Sequence, residues 1–367
     1  MTWGISTFTG QTQTLTLPRP LRLESGHVLP QVTVAYRTWG RLNAARDNAV
    51  MVCHALTGTP DVDLWWGALL GRGRALDPTR DFIVCSNVLG GCYGSTGPRS
   101  LNPATGKPWG GDFPAVSVRD MVKVQRALLD ALGVARLALV IGGSLGGMQA
   151  LEWAASYPEA VDAVAAIACG AQQSAWAIGF SEAQRQAIYA DPEWQGGHYD
   201  PSRPPAAGLA AARMMAMLSY RHWHEYAGRF NRARDARGEF EVVHYLRHHG
   251  DKLVRRFDAA SYVTLTRAMD THDLARGRGD PATVFATIKA PSLIVGVDSD
   301  VLYPLTEQQT LAIALPDARL AVLHSPHGHD AFLIDTIELD ARVHDFRHSL
   351  PRNPVTDIQP ETLACTL

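Results

Sequence analysis

A serine in a glycine-rich segment is the residue in this sequence best suited to nucleophilic chemistry. Ser144 is the central residue of a Gly-x-Ser-x-Gly pattern at positions 142–146. An apolar run at 137–141 precedes the pattern, and a segment rich in helix formers follows it. Strand, sharp turn and helix form the context in which this pattern exposes a nucleophilic serine at a sheet edge. The alternative is a glycine-rich turn whose serine has no catalytic role. It explains the pattern but not the combination of an apolar run before it and a helix-forming segment after it.

A serine hydroxyl becomes reactive when a histidine accepts its proton, and that histidine needs a carboxylate to orient it. In enzymes with this type of serine turn, the chain order is serine, acid, histidine. Asp298 and Asp300 both follow the strand predicted at 289–297. We choose Asp300 as the acid because it lies further into the loop, whereas Asp298 is closer to the strand end.

Three histidines follow the last predicted strand, at 318–323, and each alone could be an ordinary solvated or packed residue. They are His324, His327 and His329. We choose His329 because Gly328 permits a tight loop before it and residues 330–333 are typical of a helix start. The sequence therefore predicts a triad of Ser144, Asp300 and His329.

The intermediate of such a reaction carries an oxyanion, which backbone amides can stabilise. The amide of Leu145 opens the helix after the serine, so we expect it to point at the developing charge. The second amide in enzymes of this type comes from the loop after an earlier strand. An apolar run at 48–53 leads into such a loop, and we choose Leu56 as the second donor.

Strands and helices alternate through the first half of the chain, which predicts an α/β fold with a mostly parallel sheet of the eight-stranded type, flanked by helices. The N-terminal segment would add antiparallel edge strands. Segments rich in Ala, Arg, Met and His then predict an inserted helical lid. The predicted division is a core at 1–171 and 284–350, a lid at 172–283 and a peripheral C-terminal tail at 351–367.

The composition is that of an ordinary globular protein, with 46% hydrophobic and 19% charged residues. A net charge of −2 and a pI of about 6.7 argue against nucleic acid or an anionic membrane as the main partner. The first residues lack the layout of a secretory signal, and Cys53, Cys85 and Cys169 are typical of small buried thiols. We therefore expect a cytoplasmic protein, and the Cys/His spacing predicts no metal site.

Several segments together resemble the homoserine O-acyltransferases of the α/β-hydrolase superfamily. The resemblance covers about residues 30 to 340 and is far more specific than Gly-x-Ser-x-Gly alone. The matching segments are 54–58, 87–98, 102–108, 143–153 and 325–333.

The resemblance implies an α/β-hydrolase fold and the same triad. It implies transfer of an acetyl group from acetyl-CoA to the hydroxyl of L-homoserine through an acyl-serine. The product would be O-acetyl-L-homoserine, used in methionine biosynthesis. Acetyl-CoA would be a co-substrate, with no tightly bound cofactor, and the partners would be small-molecule substrates and a second copy of the chain in a homodimer.

The resemblance also assigns two residues to substrate binding. Arg213 matches the family arginine that holds the homoserine carboxylate, and Asp330 matches the residue that binds its amino group. Without the resemblance, Arg213 would be a surface arginine and Asp330 a helix N-cap. Succinyl-preferring relatives tend to carry an arginine two residues after the catalytic aspartate. The residue here is the uncharged Leu302, which favours the acetyl donor.

Other functions remain compatible with a serine triad. They are homoserine O-succinyl transfer, serine O-acyl transfer and plain hydrolysis of esters or thioesters. One methylene separates serine from homoserine, which is worth only about 1–3 kcal/mol of discrimination. A non-catalytic binding module on the same fold would normally lack a triad member, and all three are present.

Overall fold

The apolar runs of the sequence assemble into one eight-stranded sheet in the order β1-β4-β6-β5-β7-β8-β9-β10. The computed structural model describes residues 11–350, so the predicted tail at 351–367 lies outside the described residues. The sheet strands are β1 (Gln13–Thr16), β4 (Thr33–Trp39), β5 (Ala49–Cys53), β6 (Phe82–Ser86), β7 (Leu137–Gly143), β8 (Val164–Ile167), β9 (Ser292–Val297) and β10 (Ala318–Leu323); β2 (Leu21–Arg22) and β3 (Val28–Leu29) form a separate hairpin.

Strand direction changes only at one edge of the sheet. β4 pairs antiparallel with both β1 and β6, and every other pair is parallel. The mostly parallel sheet with antiparallel edge strands is therefore confirmed. Parallel strands need crossover connections, and the helices that provide them cover both faces of the sheet.

Alternate residues of the central strands face two separate cores. Met51 and Cys53 of β5 belong to one hydrophobic cluster, whereas Val50 and Val52 belong to the other. All four side chains are almost completely buried. Burial on both faces explains why these strands read as unbroken apolar runs in the sequence.

Twelve α-helices lie in the described part of the chain. They are α1 (Val62–Trp65), α2 (Val118–Ala131), α3 (Leu145–Ser156), α4 (Ala175–Tyr189), α5 (Ala206–Tyr220), α6 (Trp223–Arg229), α7 (Glu241–Val254), α8 (Ala259–Asp270), α9 (Pro281–Thr287), α10 (Leu305–Ala314), α11 (Ala331–Ile334) and α12 (Thr336–Ser349). Within residues 11–350, each helix is too short or too polar to cross a lipid bilayer.

Six of the helices, α4 to α9, lie between β8 and β9, where the sequence predicts an inserted lid. The boundary predicted at residue 283 falls inside α9, which packs against the core helix α3. α5 packs on α4 and α7 and also contacts the short 3-10 turn at Gly328–Asp330. The insertion therefore meets the loop that follows β10.

The loops after β5, β7, β9 and β10 all leave the sheet at one edge, because these strands run parallel. Leu56, Ser144, Asp300 and His329 each lie in or directly after one of these loops. This edge is where α/β sheets hold their ligands.

The approach of the β5 end to the start of α3 requires glycine at position 146. A Cβ there would lie 2.1 Å from the Cys53 carbonyl oxygen. We expect Gly146→Ala to lower the free energy of unfolding by about 3 kcal/mol or more, because neither backbone can give way. The measurement is urea denaturation of the purified variant.

Gly179→Ala in α4 is the matched control, since a Cβ at that helical position meets no atom within 4 Å. It should raise stability by about 0.5–1 kcal/mol through helix propensity. Equal stability of the two variants would contradict the steric argument.

Candidate active site

Ser144 occupies a strained turn between β7 and α3. Its φ of 56° lies in the left-handed region, which costs a non-glycine residue about 1–3 kcal/mol. The surrounding backbone holds the turn: the Ser144 amide donates to the Ile167 carbonyl at 2.8 Å, and its carbonyl accepts from the Met148 amide at 3.0 Å. A serine in a strained turn at the carboxyl end of a buried strand has the geometry that the sequence pattern predicts.

Asp300 and His329 form a buried pair at the same sheet edge. The distance from His329 Nδ1 to Asp300 Oδ2 is 2.7 Å, and the side chains are 4% and 0% exposed respectively. The other carboxylate oxygen, Oδ1, accepts from the amides of Leu302 at 2.8 Å and Tyr303 at 2.9 Å. Because the carboxylate accepts from Nδ1, Nε2 of His329 is left unprotonated and able to accept a proton.

The pKa of His329 is raised above its ordinary value. Burial acts to lower it, but the charge of Asp300 and the hydrogen bond to Asp300 outweigh burial, and the charge of Asp330 adds to them. The imidazolium that would form during proton transfer is thus stabilised where it forms.

The remaining acids and histidines of the two loops pair elsewhere. His324, which is 76% exposed, meets Asp298 at 2.9 Å at the surface. His327 lies 3.4 Å from Glu225 of α6. Only the pair chosen from the sequence is fully withdrawn from solvent, although its catalytic role stays a prediction.

Phe332 joins the histidine loop to the serine turn. Its ring packs on Gly143, next to Ser144, and meets the His329 ring edge-on at 5.5 Å. Tyr220 and Tyr303 flank the imidazole at 5.6 and 5.2 Å. The Phe332 ring and the two tyrosines therefore fix the imidazole beside the serine turn.

The two predicted substrate residues both lie near His329: Asp330 follows it in the chain, and Arg213 packs on Tyr220, whose ring contacts the imidazole. Arg213 of α5 stacks over the Tyr220 ring at 5.2 Å. Asp330 precedes α11 but makes no capping hydrogen bond, which excludes the simple N-cap interpretation. Burial raises the pKa of Asp330, while the charges of Arg221, Arg213 and His329 counteract that rise.

Arg221 is a residue that sequence reasoning missed. Its Nε lies 3.2 Å from Asp330 Oδ2, and its Nη1 lies 3.1 Å from Glu225. Gly328 allows this approach, since a Cβ there would lie within 3.0 Å of the Arg221 backbone. No local pattern distinguishes Arg221 from other arginines of the inserted helices, because Asp330 is more than one hundred residues away in the chain.

The two predicted oxyanion donors lie at the ends of β5 and β7. Leu145 is the first residue of α3, so its amide has no acceptor within the helix. Leu56 lies in the turn after β5. The buried Gln149 joins the two segments, because its Nε2 donates to the carbonyls of Leu145 at 3.0 Å and His54 at 3.3 Å.

The chain is similar along nearly all its length to known proteins. A sequence profile of the α/β hydrolase fold matches residues 48–336. Homoserine O-acetyltransferase of Trichormus variabilis is 58% identical over 95% of this chain and 97% of its own. The enzyme of the same name from Chloroherpeton thalassium is 55% identical over 94% of this chain and 91% of its own length.

Solved structures give two kinds of neighbour. The crystal structure of homoserine O-acetyltransferase from Bacillus anthracis has a TM-score of 0.86 at 25% identity, covering 92% of this chain and 97% of that one. The crystal structure of esterase E22 has a TM-score of 0.85 at 27% identity, and the match covers 92% of this chain and 99% of that one. The same architecture therefore carries both transfer and hydrolysis.

Replacement of the buried acid tests the pairing. In Asp300→Asn, the two amides that bind Oδ1 should keep the oxygen in place and turn the new NH₂ toward His329. The imidazole would then need Nδ1 as an acceptor, which leaves Nε2 protonated and unable to accept the serine proton. We expect kcat to fall about 10⁴-fold.

The pH dependence of the residual activity in Asp300→Asn should also differ from that of the wild type. Neutral His329 would be the form that accepts the serine proton, and Asp300 raises its pKa, so loss of the charge should move the acidic limb of the pH–rate profile to lower pH. Asp298→Asn, at the exposed pair, is the control. It should change kcat by no more than about fivefold, since such pairs are worth about 0–1 kcal/mol. A larger loss in Asp298→Asn than in Asp300→Asn would reverse the assignment.

Proposed function

Since the chain belongs to the α/β-hydrolase family and, within it, to the homoserine O-acetyltransferases, we propose that it transfers the acetyl group of acetyl-CoA to the hydroxyl of L-homoserine. The product is O-acetyl-L-homoserine, an intermediate for methionine biosynthesis. The observation that carries the proposal is the buried Asp300–His329 pair beside the strained turn of Ser144.

In the first half-reaction, Ser144 attacks the thioester carbonyl of acetyl-CoA. His329 Nε2 accepts the hydroxyl proton, and the amides of Leu56 and Leu145 stabilise the oxyanion. The tetrahedral intermediate collapses with loss of CoA, whose sulfur takes the proton back from His329. An acetyl ester on Ser144 remains.

In the second half-reaction, Arg213 holds the carboxylate of homoserine and Asp330 holds its ammonium group. Asp330 Oδ2 is engaged by Arg221, and Oδ1 has no hydrogen bond or ion pair within residues 11–350. His329 then takes the proton of the homoserine hydroxyl as that oxygen attacks the acetyl ester. The tetrahedral intermediate collapses to O-acetyl-L-homoserine, and His329 returns the proton to the departing Ser144 oxygen. The helices at 172–283 act as the lid that disfavours water as acceptor.

The acyl donor is acetyl-CoA rather than succinyl-CoA. Leu302, in the loop that carries Asp300, is uncharged and buried, with 7% exposure. A succinyl group would bring a carboxylate, and burial of that charge beside an apolar side chain is costly. Acetyl-CoA is a co-substrate, so the proposal needs no tightly bound cofactor.

The proposal extends to the state of the protein in the cell. We infer a homodimer in the cytoplasm, with small-molecule substrates as partners. The charge balance of −2 supports the absence of a nucleic-acid partner.

Mass spectrometry of the intact protein tests the covalent route. Incubation with acetyl-CoA should add one acetyl group to the wild type, and homoserine should remove it faster than serine or water does. Succinyl-CoA should leave the protein unmodified. Ser144→Ala should form no adduct, and a variant that keeps transferase activity would contradict the acyl-serine mechanism. Fast loss of the adduct in water alone would indicate a hydrolase.

Arg213→Ala tests the acceptor site separately from the acylation step. Loss of a charge-assisted contact of about 1.5–3 kcal/mol should raise the KM for homoserine about 10- to 100-fold. The rate of acetyl-enzyme formation should change little. Arg237→Ala, at an exposed lid position, is the control and should leave the KM unchanged. Equal slowing of both half-reactions in Arg213→Ala would remove its assigned role.

A further inference from the structure

The peptide unit between Ala55 and Leu56 carries the amide that the proposed mechanism uses at the oxyanion. A peptide bond is planar and trans, so its N–H points opposite to its C=O. Whatever fixes the Ala55 carbonyl therefore also fixes the direction of the Leu56 N–H. That carbonyl has two partners, His54 Nδ1 at 2.8 Å and the Gly58 amide at 2.8 Å.

The surrounding hydrogen bonds determine the tautomer of His54. The Val88 amide lies 3.2 Å from His54 Nε2 and can only donate, so Nε2 is an acceptor without a proton. The proton of the neutral ring is then on Nδ1, which donates to the Ala55 carbonyl. The orientation of Asn87 supports the same tautomer. Its Oδ1 accepts from the Tyr93 amide, so its Nδ2 points toward His54 Nε2, at 3.0 Å.

The hydrogen bonds of the His54 ring all go to the segments that follow β5 and β6. His54 is 1% exposed, and burial lowers its pKa to about 4, which keeps it neutral at physiological pH. Its carbonyl also accepts from Gln149 Nε2. The Oε1 of Gln149 accepts from Gln125, whose own Oε1 accepts from the indole N–H of Trp153. Because an indole can only donate, this chain fixes the orientation of both amides.

We propose that His54 is a positioning residue for acyl transfer, which as its Nδ1–H tautomer holds the Ala55–Leu56 peptide so that the Leu56 amide faces the oxyanion. The inference rests on the proposed function. His54 touches no substrate; it links the ends of β5 and β6 and sets the direction of one backbone donor. Preorganised donors of this kind need no rearrangement when charge develops.

Two substitutions separate positioning from space filling. The amide nitrogen of Asn can reach the place of Nδ1, so His54→Asn keeps a donor for the Ala55 carbonyl. The amide of Gln reaches toward Nε2, so His54→Gln keeps an acceptor for Val88 but loses that donor. We expect His54→Asn to retain kcat within about tenfold of the wild type. His54→Gln should lose about 10²–10³-fold, as when an oxyanion donor is removed.

The loss in His54→Gln should affect both half-reactions equally and leave the KM for homoserine unchanged. His272, another buried histidine with a pKa lowered to about 4, supplies the control. His272→Gln should reduce stability without changing kcat. Equal kcat values for His54→Asn and His54→Gln would mean that the ring only fills space, and would overturn the inference.

Nitrogen NMR of the ¹⁵N-histidine-labelled wild type gives a test that does not depend on a folded variant. The His54 signals should show a protonated Nδ1 and an unprotonated Nε2 across neutral pH; the opposite tautomer would overturn the proposal. Ser144→Ala distinguishes the two levels of inference. If that variant still forms acetyl-enzyme, the proposed function fails. If Ser144→Ala forms no acetyl-enzyme, as expected, but the His54 variants do not behave as predicted, only the role of His54 is contradicted.

Discussion

The short hydrogen bond between Asp300 and His329 is the interaction on which the proposed chemistry depends. A carboxylate with no solvent exposure is tolerable only because three donors surround it: one imidazole and two amides. Those bonds keep the acceptor nitrogen of the imidazole free. Without them, the proposed mechanism would leave the Ser144 hydroxyl with no base to accept its proton.

The inserted helices and the loop that carries His329 are joined by charge as well as by packing. Arg221, at the end of α5, meets Asp330 on one side and Glu225 on the other, and Glu225 also meets His327. The same helix carries Arg213 and Tyr220, and the Tyr220 ring packs at a tilt against the His329 ring. The proposed acceptor residue Arg213 and the proposed base His329 are therefore both contacted by α5, so a homoserine bound to Arg213 would be positioned beside His329.

Much of the fold follows from local patterns. Buried parallel strands such as β5 and β7 are unbroken apolar runs, and the turn at Ser144 has glycines where close backbone contact requires them. The predicted ends were less precise: the strand predicted at 289–297 begins at Ser292, and the boundary predicted at residue 283 falls inside α9. Element ends depend on hydrogen bonds to neighbouring strands, which composition does not report.

The sequence by itself determined the sheet, the serine turn and the order of serine, acid and histidine, because strand periodicity and turn glycines are local and parallel strands bring their loops to one edge. Only the tertiary structure decided that Asp298 and His324 pair at the surface, that Asp330 meets Arg221 instead of capping a helix, and that His54 Nε2 lies opposite the Val88 amide. These contacts join residues far apart in the chain. No repeat or spacing encodes them, since they arise when folding brings separate loops within hydrogen-bonding distance.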